Sequence, residues 1–87
     1  MSDPTFIKDE LKNAQIRYVT FKGSYHRYDI AVISTDGDTE KLIMDLNGNR
    51  FSFMNKEKLM QENFVEHNFN INEIEADEFR SFLTKLL

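Results

Sequence analysis

Residues Gln15 to Met54, QIRYVTFKGSYHRYDIAVISTDGDTEKLIMDLNGNRFSFM, decide the fold. Four apolar segments rich in β-branched and aromatic residues follow one another there. Turn chemistry separates them at Gly23-Ser24, Asp36-Gly37-Asp38 and Asn47-Gly48-Asn49. The pattern predicts an antiparallel meander. From Ile16 to Lys22 nearly every residue is a β-former, but Tyr18 and Val19 are adjacent, so the spacing predicts a bulge or burial on both faces. Tyr25 to Ser34 contains the run Ile30-Ala31-Val32-Ile33, which needs apolar cover on both faces at its middle and marks a central strand. Lys41 to Leu46 alternates, with Leu42, Met44 and Leu46 on one side and Lys41, Ile43 and Asp45 on the other. In the fourth segment Phe51 and Phe53 are expected to face inward, with Arg50 and Ser52 outward.

The turns set the connectivity. Asn47-Gly48 tolerates the positive φ of a type I′ turn, so the third and fourth segments should pair antiparallel. Asp36-Gly37 does the same for the second and third, across a longer loop to Glu40.

Working outward, Asp3 is a candidate N-cap with Pro4 at the first helical position. Phe6, Ile7, Leu11 and Ala14 then recur at roughly helical spacing. A short N-terminal helix is expected, with an irregular arm held by Phe6 and Ile7 as the alternative. Beyond Met54, Lys56 to Gln61 suggests one helical turn. Val65, His67, Phe69 and Ile71 alternate with Glu66, Asn68 and Asn70, which suggests a fifth strand at the sheet edge. Asn72 with Glu75 three residues later is a capping-box pattern, and Ala76, Phe79, Phe82, Leu83, Leu86 and Leu87 form one apolar stripe. Glu73, Glu75, Asp77 and Glu78 at the start of that helix and Lys85 at its end suit the helix dipole. The expectation is a single α+β domain over residues 1–87. It comprises an antiparallel four- to five-stranded meander sheet, a C-terminal helix packed on one face and a short N-terminal helix.

With 87 residues and 40% hydrophobic content the chain builds one modest core, with a net stability of roughly 4 to 13 kcal/mol. It has no cysteine, which excludes a disulfide framework and a thiol nucleophile and suits a reducing cytoplasm. Met1-Ser2-Asp3-Pro4 lacks the regions of a secretory signal, and the longest uninterrupted apolar run is Ile30 to Ile33, so neither secretion nor a membrane partner is expected. The net charge of -4 argues against a surface built throughout for phosphate backbones. Residues 1–58 are neutral. The excess acid lies in Glu62, Glu66, Glu73, Glu75, Asp77 and Glu78, faced only by Arg80 and Lys85.

No residue set forms a chemical signature. Asp45-Leu46-Asn47-Gly48-Asn49 starts like a calcium loop, but a calcium helix-loop-helix needs Gly sixth and Glu twelfth, and here Gly48 is fourth and Lys56 twelfth. His26 and His67 lie far apart with no cysteine to complete a ligand set. Asp29, Asp36, Asp38, Glu40 and Asp45 mostly flank turns, where Asp serves backbone hydrogen bonding. Glu10-Leu11-Lys12 is expected on a helix instead of the strand that a nuclease element needs. No catalytic residue, metal site or cofactor is therefore expected. What stands out is a set of cations and tyrosines on neighbouring strands, Arg17, Tyr18, Lys22, Tyr25, Arg27, Tyr28, Lys41 and Arg50, as a partner or nucleic-acid surface.

Arg17-Tyr18-Val19-Thr20-Phe21, Arg27-Tyr28-Asp29-Ile30-Ala31-Val32, Glu66-His67-Asn68-Phe69-Asn70 and Glu75-Ala76-Asp77-Glu78-Phe79-Arg80-Ser81-Phe82-Leu83 together resemble a Firmicute family of small uncharacterised cytosolic proteins, the domain-of-unknown-function 3055 type. The resemblance covers nearly the whole chain. It implies a cytosolic bacterial protein and carries over no catalytic residue.

The functional expectation is a non-enzymatic protein-binding or regulatory module, cytoplasmic, acting on an unidentified protein partner or by self-association. An open sheet edge is one route to either. The alternatives are a weak nucleic-acid binder through the Arg/Tyr-rich sheet face and a small metal-dependent hydrolase using His26 and neighbouring acids.

Overall fold

The computed structural model describes residues 3–5, 7–24 and 26–87. Four strands, β1 (Ala14–Lys22), β2 (Arg27–Thr35), β3 (Lys41–Asp45) and β4 (Arg50–Met54), form one antiparallel sheet in the order β1-β2-β3-β4. Three helices follow, α1 (Lys56–Leu59), α2 (Phe64–Phe69) and α3 (Glu73–Leu86), and pack on one face of that sheet. The fold is α+β.

The predicted meander is present with its order and pairing. β1 and β2 form an unbroken ladder from Ala14↔Thr35 to Lys22↔Arg27. The expected bulge or two-sided burial at Tyr18 and Val19 does not occur: Val19 is half-buried on the helix side and Tyr18 is exposed on the other. Ile30, Ala31 and Val32 are buried, as a strand with covered neighbours on both sides requires. The β3–β4 hairpin closes with Asp45↔Arg50, leaving a four-residue loop in place of the expected two-residue type I′ turn. Its left-handed position falls on Asn49 (φ 54°) because the Asp45 carboxylate accepts the Asn47 N–H (3.2 Å) and fixes the first half of the loop. A Cβ at Gly48 would stand 2.6 Å from Asp45 Oδ2, so any larger residue there would push that carboxylate aside.

The core lies between the sheet and the helices. Phe21, Tyr28, Ile30, Val32, Ile43 and Met54 meet Leu59, Val65, Phe69, Ala76, Phe79 and Leu83 there. Phe21 stacks on both Tyr28 (4.7 Å between ring centroids) and Phe82 (3.7 Å), so one edge-strand residue ties β1 to β2 and α3. α3 begins as predicted: Asn72 Oδ1 accepts the Glu75 N–H (2.8 Å), and the Asn72 amide donates to Glu75 Oε1 (2.7 Å). Arg80 on α3 donates to Glu66 of α2 (2.6 Å), to Asp77 (2.9 Å) and to the Leu59 carbonyl of α1 (3.3 Å), which locks the three helices together.

Two expected elements differ. Residues 64–69 form helix α2 instead of a fifth strand, since the buried positions are Val65 and Phe69, an i, i+4 pair, while His67 is exposed. Asn63 and Asn70, both left-handed, allow the tight corners that bound it. At the N-terminus the described residues before β1 are irregular, and the expected short helix is not formed. Ile7 and Leu11 are fully exposed, and a helix this short has little stability without an apolar surface to pack on. Phe6, the alternative anchor, lies outside the described residues. Asn13 at the base of this arm accepts the Asp36 N–H, and Lys12 pairs with Asp38 (3.4 Å). The radius of gyration is 15.4 Å and the longest extent 53 Å, against about 12 Å expected for a compact 87-residue domain.

Candidate functional site

The sheet has two apolar faces and one layer of helices. Register places Phe21, Tyr28, Ile30, Val32, Ile43 and Met54 under the helices. On the opposite face it lines up two cross-sheet rows, Ile16–Ile33–Leu42–Phe53 and Tyr18–Ala31–Met44–Phe51. Every one of these eight side chains is apolar or aromatic. Ile16 is 55% exposed, Tyr18 74%, Phe51 62% and Phe53 54%, while Ala31 is buried beneath its neighbours. The expectation that Phe51 and Phe53 face inward is therefore corrected. β4 runs straight into α1 through Asn55, whose side chain caps that helix (2.9 Å to the Lys58 N–H), and this connection puts Met54 and Ser52 on the helix side. The aromatic pair is left on the open side.

Polar groups frame the rows. At one end Asp29 accepts from Thr20 Oγ1 (2.6 Å), from Asn47 Nδ2 (3.2 Å) and from Arg27 Nη2 (3.3 Å). These hydrogen bonds, that from Thr20 foremost, hold its carboxyl below the usual carboxylate range. Lys22 and Arg27 are directly paired just beyond it. At the other end the arm and the β2–β3 loop meet, and Glu10, Lys12, Asp38 and Glu40 rim a cavity of about 340 Å³ floored by Ile33, Leu42 and Phe53. Glu40 is tied back to α1 by Lys58 (2.5 Å).

The cation and tyrosine set does not form one surface. Tyr18, Lys22 and Arg27 belong to the open side, whereas Arg17, Tyr28, Lys41 and Arg50 belong by register to the helix side. Tyr28 is buried, its hydroxyl donating to Glu78 Oε2 (3.1 Å), and burial together with that carboxylate pushes its ionisation above the usual phenol range. Lys41 Nζ donates to the Leu86 carbonyl (3.3 Å) at the end of α3, where a cation suits the helix dipole. Tyr25 lies outside the described residues. The apolar partners Ile16, Ile33, Leu42, Met44, Phe51 and Phe53 went unnoticed as a site in the sequence. Their signal was the alternation of β3 and β4, which marks two faces without saying which one the helices take.

His26 Nε2 stands 3.3 Å from Glu75 Oε1 at the exposed rim of a small cleft with Asp45 and Asn47, while His67 sits on α2. Among the described residues no three His, Asp or Glu side chains converge as metal ligands, and no helix is long and apolar enough to cross a membrane.

No curated protein matches the chain. The family model described as SAV0927-like matches residues 7–85, a span that takes in all four strands and almost the whole of α3, and the chain therefore belongs to the SAV0927-like family.

Proposed function

We propose that this protein is a non-enzymatic, cytoplasmic protein-binding or regulatory module that works through the open face of its sheet. One observation carries the reading: two complete apolar rows cross the sheet with Ile16, Tyr18, Phe51 and Phe53 each more than half exposed. Patches of this extent on small domains mark interaction sites, because leaving them in water forgoes burial worth roughly 25 cal/mol per Å². The absence of cysteine suits a reducing compartment. The same reading takes the SAV0927-like family to be the bacterial domain-of-unknown-function 3055 type that the chain's segments resemble.

The test is affinity capture from bacterial cytosol with the native chain and with Phe53→Ser, each with and without nuclease. A specific protein retained by the native chain, lost with Phe53→Ser and indifferent to nuclease is expected. Capture that survives the substitution or disappears with nuclease overturns the reading.

A further inference from the structure

We propose that the open sheet face is covered by a second copy of this chain, packed face to face about a two-fold axis that crosses the strands. The inference rests on the face being a protein-contact surface, and it names the occupant.

Area is the first ground. From the exposures of Ile16, Tyr18, Phe51 and Phe53 and the half-buried Ile33, Leu42 and Met44, the two rows offer about 700 Å² per chain. A standard interface buries about 800 Å² per partner, whereas the largest patch on an ordinary monomer is about 300–600 Å². A second copy supplies a face of the same width and character, and two sheets pack in this way about 10 Å apart with strands within roughly 30° of each other.

Charge is the second ground, and it sets the orientation. At one end of the face Lys22 and Arg27 stand directly opposite each other on β1 and β2, both exposed. Like charges so placed repel, and of the two only Arg27 has, among the described residues, a compensating carboxylate, Asp29, in its ion pair. At the other end the β2–β3 loop presents Asp36 and Asp38, both exposed, with Asp38 also paired to Lys12 of the arm. Lys22 lies five residues beyond Arg17, the midpoint between the two rows, and the Ala14↔Thr35 pair that leads into Asp36 lies three residues before it. A two-fold axis across the strands near Arg17 superposes the apolar rows and brings each Lys22/Arg27 pair, ~15 Å from the axis, against the acidic loop of the other copy. An axis along the strands would keep the cationic end of one copy over the same end of the other, away from its acidic loop.

Sedimentation equilibrium of the whole chain from about 1 to about 200 μM reads the proposal. A reversible dimer is expected, with its Kd raised at least about tenfold by Phe51→Ser and by Tyr18→Ser. Lys22→Glu is expected to raise Kd several-fold, and Asp36→Lys in the same chain to restore it. Circular dichroism checks that each variant is folded, and Tyr18→Ser, at the most exposed of the row positions, keeps the test open should Phe51→Ser fail to fold. A native chain monomeric at about 200 μM overturns the second copy as occupant, and the cytosol capture then decides the contact face by itself. A dimer indifferent to both face substitutions overturns the face as the interface. Charge reversal without rescue overturns the crossed two-fold.

Discussion

The hydroxyl of Tyr28 in the core donates to Glu78 Oε2 of α3 (3.1 Å), while the Ser24 N–H donates to the other oxygen of the same carboxylate. One acid thus holds the β1–β2 turn and the central strand to the C-terminal helix. Burial is the main reason that Tyr28 resists ionisation, and the bond to Glu78 adds to it. A phenol whose ionisation is raised in the folded state contributes stability that is fully present below its unfolded value, about pH 10, and is lost as pH rises beyond it. Urea unfolding from pH 8 upward is expected to show native stability falling beyond about pH 10 more steeply than that of Tyr28→Phe. At neutral pH Tyr28→Phe is expected to cost about 1 kcal/mol. Equal slopes for the two proteins would remove Tyr28 as the alkaline group.

Asp29 is the acid-side counterpart. Its folded-state ionisation is depressed by the bonds from Thr20, Asn47 and Arg27, so its contribution is present above the ordinary carboxylate range and is lost as pH falls through it. Asp29→Asn is expected to be less stable than the native chain at pH 7 and to approach it as the pH drops toward 3. Thermal melts across that window check the convergence.

Arg80 is 20% exposed and binds α1, α2 and α3 at once. Arg80→Ala leaves Glu66 half-buried without its cation and is expected to cost about 2–3 kcal/mol by denaturant unfolding. Arg80→Lys has one ammonium for three directions, so it should recover only part of the loss. Full recovery would reduce Arg80 to a simple charge.

β4 offers a direct comparison of the two sheet faces. Met54 is fully buried and its neighbour Phe53 is on the open face, so Met54→Ala is expected to cost about 2–5 kcal/mol and Phe53→Ala under about 1 kcal/mol in the isolated chain. Chemical unfolding at low protein concentration separates this from any effect of association. A larger cost at Phe53 would mean that the open face is covered within the monomer.

Much of the architecture was legible because local rules agreed with the final packing. The turn at Gly37, with its φ of 84°, the hairpin after Asp45 and the Asn72 cap of α3 all rest on contacts a few residues apart. Where two local patterns competed, local reading failed. Residues 64–71 satisfy alternation through Val65, His67, Phe69 and Ile71, and a helical stripe through Val65 and Phe69. Only contact with β4 and α3 decides for the helix. The arm before β1 has helical spacing and a capping signal, yet Ile7 and Leu11 are fully exposed, with no apolar surface among the described residues to pack on.

The sequence by itself determined that four strands would pair as a meander and that a capped amphipathic helix would close the chain, because strand alternation, turn residues and caps act over a few residues. Only the tertiary structure decided which face of that sheet is open. Period-two alternation makes Ile43 and Met54 as apolar as Leu42 and Phe53, and a strand cannot distinguish its two sides until the helices choose one. That choice follows from the path that Asn55, Asn63 and Asn70 impose on the chain after β4, and it leaves Ile16, Tyr18, Phe51 and Phe53 facing outward together.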